Sequence, residues 1–121
     1  MTRPDVRIRR VYDEVGPDDG ARVLVDRVWP RGLRTDAVHA DDWAKDIAPS
    51  TELRRWFGHD PAKFTEFRSR YRAELNTPNG RAALNQLRTL VERGRLTLLT
   101  ATRDVDHSHV AVLAELLYDS P

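Results

Sequence analysis

The sequence predicts an α/β domain built on a short, mainly parallel sheet flanked by helices. Three observations carry that expectation. Residues 21–25 (Ala21-Arg22-Val23-Leu24-Val25) and 96–100 (Leu96-Thr97-Leu98-Leu99-Thr100) are short β-branched and apolar runs of the kind a parallel sheet buries. Residues 41–93 carry apolar side chains at helical spacing. Helical patterns on both sides of residues 96–100 give a helix–strand–helix order, which favours parallel pairing through crossover connections.

The elements follow in order. Residues 6–12 alternate well enough for a strand with one polar face. The acidic, glycine-containing residues 14–20 read as a loop. The second strand stops at Asp26, and the Trp29-Pro30 step forces an extended residue before a loop. Trp43 and Ile47, four apart, predict a short helix ending before Pro49. Ser50 is placed to cap a helix carrying Leu53, Trp56 and Phe57, with Gly58 closing it. Asp60-Pro61 opens the next helix, whose Phe64, Phe67, Tyr71 and Leu75 form one apolar stripe. Another follows Thr77-Pro78, with Leu84, Leu87 and Val91 inward and Gly94 at its end. After the strand at 96–100, a last helix over residues 107–118 presents Val110, Leu113 and Leu117.

A chain of 121 residues suits one domain over 1–121 with a core of its own. Cysteine is absent, which removes thiol catalysis, disulfides and Cys-ligated zinc together. No apolar run approaches the ~18 residues of a membrane helix, and Met1-Thr2-Arg3-Pro4-Asp5 does not read as a signal peptide. The expectation is a cytoplasmic protein with no membrane partner. A net charge of +1 supplies no global field for nucleic acid or anionic lipid. Of the 20 basic residues only Lys45 and Lys63 are lysine, which leaves 18 arginines. Codon usage alone produces such a bias, so arginine position carries more weight than arginine number.

In parallel sheets ligands bind outside the carboxyl ends of strands. That rule puts the candidate site where Asp26-Arg27-Val28-Trp29-Pro30-Arg31-Gly32 meets Thr100-Ala101-Thr102-Arg103-Asp104. Asp26 reads either as a general base or as half of a structural ion pair with Arg27. Arg27, Arg31 and Arg34 can converge on a phosphate or carboxylate while Trp29 offers a stacking face. The plainer reading has Trp29 plugging the core and Arg31 in solvent. Gly32 permits close backbone approach or positive φ. Thr100, Arg103 and Asp104 form the facing wall.

Two histidines are candidates for proton transfer with Asp26. His59 is the one residue of Trp56-Phe57-Gly58-His59-Asp60-Pro61 that a helix–turn–helix explanation leaves over. His107 lies beyond the last strand, where Asp104 or Asp106 is placed to cap the final helix. His107 and His109, two apart, point about 200° away from each other on a helix and could share a cation only in an extended segment, so no metal site is expected. Ser50, Ser69, Ser108 and Ser120 lack a G-x-S-x-G elbow. Neither G-x-G-x-x-G nor a P-loop occurs, which argues against dinucleotide and P-loop nucleotide binding; the sequence names no cofactor either way.

Val23-Leu24-Val25-Asp26-Arg27-Val28-Trp29-Pro30-Arg31-Gly32 and Trp56-Phe57-Gly58-His59-Asp60-Pro61 carry a family resemblance. With Pro49-Ser50, Leu53-Arg54, Phe67-Arg68, Tyr71, and Leu98-Leu99 leading to Asp104 and His107, the chain resembles the YeaO-like branch of the DUF488 family over nearly its whole length. The resemblance implies a small, Rossmann-like α/β domain of the bacterial cytosol and brings no reaction with it. Other branches of that family carry cysteines near the final strand. Threonine or alanine stands there in this sequence, so a thiol-dependent role does not transfer. The branch often shows His-Asn after the aspartate, where this chain has His107-Ser108.

The leading expectation is a small-molecule enzyme or binding domain for an anionic, phosphorylated or nucleotide-like ligand. Arg27 and Arg31 would hold the anion, Trp29 would stack, and Asp26 with His107 or His59 would move any proton. The rival is a non-enzymatic nucleic-acid- or protein-binding module using Arg68, Arg70 and Arg72, of which Arg68 and Arg72 share a helix face. Composition and spacing leave the oligomeric state open.

Overall fold

The computed structural model of the chain describes residues 5–118. Residues 1–4, read above as carrying no targeting signal, and Ser120 lie outside the described residues. Four strands form one sheet in the order β1-β4-β2-β3: β1 (Val6–Arg10), β2 (Ala21–Leu24), β3 (Asp42–Trp43) and β4 (Leu96–Thr100). Every pairing is parallel, with Ile8 opposite Leu98, Val23 opposite Leu98, and Leu24 opposite Trp43. The helices are α1 (Thr35–Val38), α2 (Thr51–Phe57), α3 (Phe64–Leu75), α4 (Pro78–Arg93) and α5 (His109–Tyr118). The α/β class and the parallel sheet are therefore as the sequence predicts.

β4 is central because it can be. All five of its residues are buried, and none is charged. Its two threonines are satisfied inside: Thr97 Oγ1 donates to Asp19 O at 2.6 Å, and Thr100 Oγ1 to Asp26 Oδ1 at 2.7 Å. A buried hydroxyl without a partner would be costly. On one face Val23, Leu96 and Leu98 pack beneath α2–α5, with Phe57, Phe67, Tyr71, Leu87 and Leu113 in the same core. An aromatic row runs along α3, with Phe67 stacked on Phe57 at 4.2 Å and Tyr71 5.8 Å from Phe67. The opposite face has a thinner cover: Leu24 and Leu99 meet Val11 and Val38, with Trp29 and Trp43 packed against them.

The helix caps follow the local sequence. Ser50 accepts from Leu53 N at 3.1 Å, and Thr77 accepts from Gly80 N at 3.2 Å. Gly58 ends α2 in the left-handed region. Asp60 caps a single 3-10 turn, Pro61–Lys63, which leads directly into α3.

Three local expectations are corrected. Trp43 and Ile47 do not share a helix face. Trp43 belongs to the edge strand β3, and Lys45–Ile47 is one 3-10 turn. Pairing with β2 decides this, since Asp41 N donates to Arg22 O at 2.7 Å and Ala44 N to Leu24 O at 2.8 Å. The last helix begins at His109, not His107, because Ser108 is extended and separates α5 from a 3-10 turn at Val105–His107. Asp104 caps nothing with its side chain; Ser108 Oγ instead accepts from Val110 N at 3.3 Å.

The connection from β1 to β2 is a loop held by a buried ion pair. Asp19 accepts from Gly16 N at 2.9 Å and from the guanidinium of Arg22. Arg22 also donates to His39 O at 2.9 Å and Val38 O at 3.2 Å, which fixes the end of α1. The Gly16 amide and the Arg22 charge outweigh burial and hold the Asp19 carboxyl below its ordinary range.

Gly20 closes this loop at φ +67°, where a Cβ would lie 2.2 Å from Arg95 O. Gly20→Ala should therefore cost both left-handed strain, about 1–2 kcal/mol, and displacement of the backbone before β4. Gly32 has φ +81° but nothing within 4 Å of a built Cβ. Gly32→Ala should cost the strain alone. Urea unfolding of the two variants should place Gly20→Ala clearly below Gly32→Ala in stability; equal losses would remove the steric account.

Candidate functional site

The carboxyl ends of β2 and β4 lie side by side, and Asp26 joins them. Its Oδ1 accepts from Thr100 Oγ1 at 2.7 Å and its Oδ2 from Ala101 N at 2.8 Å. Thr100 Oγ1 in turn accepts from Thr102 N at 3.1 Å. His109, the first residue of α5, brings its Nε2 to 3.0 Å from Asp26 Oδ1. That nitrogen is buried and makes no well-aligned hydrogen bond among the described residues. Burial would raise the Asp26 carboxyl. The His109 imidazole, the Ala101 amide and the Thr100 hydroxyl outweigh it, so the carboxyl sits below the ordinary range. Asp26 is then ionised at neutral pH and is a weak proton acceptor.

Outside this junction opens a cavity of about 570 Å³ between the 26–31 loop, α2 and the start of α5. The Asp26 and His109 side chains, 15 % and 12 % exposed, lie deep. Arg31, Arg54 and Arg55 are exposed at its mouth. Arg27 is half-buried and donates to Ala48 O at 3.0 Å and Pro49 O at 3.2 Å, tying the loop to the segment before α2. Among the described residues no carboxylate forms a salt bridge with Arg27, Arg31, Arg54 or Arg55. Phe57 and Phe67 supply an apolar wall.

The cavity brings together Asp26, Arg27, Trp29, Arg31 and His59 from the sequence-predicted set. His59 reaches it because Gly58 and His59 both adopt left-handed φ, 55° and 57°, which turns the chain back over the mouth. Trp29 has a double role. Its Nε1 donates to Leu33 O at 2.8 Å and its ring meets Trp43 edge-on at 5.3 Å, so it fills the thin core while lining the cavity. Trp43 Nε1 donates to Asp26 O at 2.7 Å, adding a second hold on the same residue.

The remaining candidates do not line the cavity. Thr100 is buried behind Asp26 and positions it. Gly32 is the left-handed turn residue that follows the lining segment. Arg103 is exposed beyond it. Asp104 and His107 pair with each other at 2.9 Å, and the His107 ring meets Phe64 edge-on at 5.4 Å. Arg34 lies at the surface, 3.6 Å from Asp36. Among the described residues no group of three or more potential metal ligands occurs.

Sequence reasoning assigned no role to Arg54, Arg55 or Ser108, and of the two histidines near the start of the last helix it chose His107 where the structure places His109; Thr102 lies within the predicted 100–104 wall. The signal for His109 was the serine before it, an N-capping residue type that shifts the helix start by two positions. The signal for Arg54 and Arg55 was their place in the helix that ends at the Trp56–Asp60 patch.

The depressed Asp26 carboxyl makes a pH prediction with a definite sign. Its stabilising contribution is complete above the ordinary carboxylate range and is lost as pH falls toward the lower folded value. Asp19 acts in the same direction. Unfolding free energy should hold level from neutrality to about pH 5 and drop below about pH 4. Asp26→Asn should lose about 1–3 kcal/mol at neutral pH and show a shallower acid decline in urea unfolding. An acid decline unchanged by the substitution would contradict the assignment.

Residues 5–120 match the family described as "Inactive DUF488-N3 subclade". The chain is 54% identical over 112 residues to the uncharacterized protein Rv3073c of Mycobacterium tuberculosis, covering 93% of this chain and 92% of that one. It is 37% identical over 113 residues to the uncharacterized protein YeaO of Escherichia coli, covering 93% and 96% of the two chains. No solved structure matches it significantly. Among the described residues no helix is long and apolar enough to cross a membrane. The Asp26–Gly32 and Trp56–Pro61 motifs that shape the cavity are thus carried by a chain that belongs to the DUF488 family, in the subclade whose description reads inactive.

Proposed function

We propose that this protein is a binding domain for a small anionic ligand, phosphorylated or nucleotide-like, held in the cavity at the carboxyl ends of β2 and β4. The observation that carries the reading is the set of four cavity arginines, Arg27, Arg31, Arg54 and Arg55, without a carboxylate partner among the described residues. Guanidinium groups present planar forks of donors that match phosphate and carboxylate geometry. Arg27 is pre-oriented by two carbonyls, while Arg31, Arg54 and Arg55 remain free to close on an anion. A cavity of about 570 Å³ is of the size that small-molecule sites have.

Binding is favoured over turnover by the state of Asp26. An Asp26 held ionised by three neighbours is a poor general acid and a weak base at neutral pH. The absence of cysteine and the subclade's description agree with that preference. A nucleic-acid-binding role through Arg68, Arg70 and Arg72 has less support. Arg68 donates to Glu115 at 2.8 Å, Arg72 lies 3.7 Å from the same carboxylate, and Arg70 sits 4.2 Å above the Trp56 ring and 3.5 Å from Glu66.

Thermal-shift screening with inorganic phosphate, phosphorylated metabolites and nucleotides tests the proposal. At least one anion should raise the melting temperature, less so as salt increases, since exposed charges are screened. Arg31→Ala combined with Arg54→Ala should cut affinity at least about tenfold while leaving the unliganded melting temperature within a few degrees. Indifference to every anion, with the variant behaving like the parent, would end this reading.

A further inference from the structure

The cavity's mouth is cationic, and Arg27 lies half-buried along its wall. Its one lining carboxylate among the described residues, Asp26, lies at the deep end beside His109; this sets what can fill it. The exposed mouth carries Arg31, Arg54 and Arg55, with His59 beside them. The deep end carries the Asp26 carboxylate and His109, with Thr102 and Ser108 on the wall. No cation other than His109 lies within salt-bridge distance of Asp26 among the described residues.

Asp26 is not saturated. A carboxylate offers about four lone-pair positions, and the protein directs two well-formed donors at it, Thr100 Oγ1 and Ala101 N. His109 Nε2 stands 3.0 Å away but is poorly aligned, and it has no other partner among the described residues. A buried polar atom in that condition is completed when a ligand group enters, or remains a cost.

We propose that the cavity selects phosphomonoesters whose far end donates hydrogen bonds, a hydroxyl or amino group set against Asp26 and His109, and rejects ligands anionic at both ends. This rests on the anion-binding reading above and deepens it: the arginines choose the phosphate, and Asp26 chooses what the phosphate is attached to. A second carboxylate or phosphate pushed to the floor would meet the like charge of a largely buried Asp26, where repulsion is less screened than in open water. A hydroxyl placed there gains a charge-assisted hydrogen bond. Asp26 is thus a specificity residue that acts by attraction toward one class and repulsion toward the other.

Isothermal titration calorimetry of the full chain with three probes decides the matter. Inorganic phosphate reports the mouth alone, glycerol 3-phosphate adds hydroxyls, and 3-phosphoglycerate replaces the terminal alcohol with a carboxylate. Glycerol 3-phosphate should bind at least about tenfold tighter than phosphate and at least about tenfold tighter than 3-phosphoglycerate. Asp26→Asn should shrink the second ratio to about threefold or less, because the repulsive charge is gone while the side chain's shape remains. Phosphate binding with no gain from the hydroxyls, or with 3-phosphoglycerate equal to glycerol 3-phosphate, would overturn this inference and leave the anion-binding reading standing. Failure of all three probes to bind would overturn this inference, while the anion-binding reading falls only if the wider thermal-shift screen is also flat. Should Asp26→Asn fail to fold by circular dichroism, the ratios measured on the parent chain decide alone.

Discussion

The carboxylate of Asp26 is the constraint on which the candidate site depends. Two parallel strands end beside each other, and their last residues would otherwise leave a hydroxyl and an amide facing the gap. One side chain answers both, with Thr100 and Ala101 on its two oxygens. Because β2 and β4 are neighbours in the sheet, this single bridge also fixes where the 26–31 loop leaves and where the chain turns toward α5. Trp43 binds the Asp26 carbonyl from the edge strand, and His109 closes on the carboxylate from the helix layer. The floor of the cavity is therefore assembled from β2, β3, β4 and α5 around one residue.

A second ionic junction performs the matching task on the sheet's other face. Arg22 and Asp19 are both buried, and the guanidinium uses its further donors on the carbonyls of Val38 and His39. Removing either partner would leave a buried charge without its counter-charge, with only backbone groups to answer it, which is far costlier than the pair's net contribution. This face has few apolar residues of its own, so the ion pair and the two indoles hold the loops that a thicker helix layer would otherwise cover. Arginines in this chain thus divide by position. Arg22 is structural, Arg27 splints a loop with its backbone contacts, and Arg31, Arg54 and Arg55 are left to face the cavity.

Much of this was legible in the sequence, for identifiable reasons. Buried parallel strands read as short apolar runs, and residues 96–100 did so with their limits intact. Ser50, Gly58 and Asp60-Pro61 marked helix ends because capping is local chemistry. The placement of Asp26, Trp29 and Arg31 beside one cavity followed from topology, since carboxyl ends of adjacent parallel strands share an edge. What was hidden depended on non-local pairing. The two-residue strand β3 exists only because β2 offers a free edge, and no pattern within residues 41–47 announces it. His109 in place of His107 turned on whether Ser108 continues a helix or interrupts one, a difference of two residues in register. Arg54 and Arg55 carried no local signal, because nothing within α2 says that the 26–31 loop shares a cavity with them.

The central claim is that Asp26 and Thr100 couple the ends of β2 and β4. A double-mutant cycle with Asp26→Ala and Thr100→Val, read by urea unfolding, measures that coupling most directly: the Ala101 amide freed by the first substitution and the Thr102 amide freed by the second are each common to both backgrounds of the other site and cancel. The account predicts an interaction energy of about 1.5–3 kcal/mol, the size of a hydrogen bond to a charged group. Losses that add within about 0.3 kcal/mol would show the two residues to be independent and would contradict it.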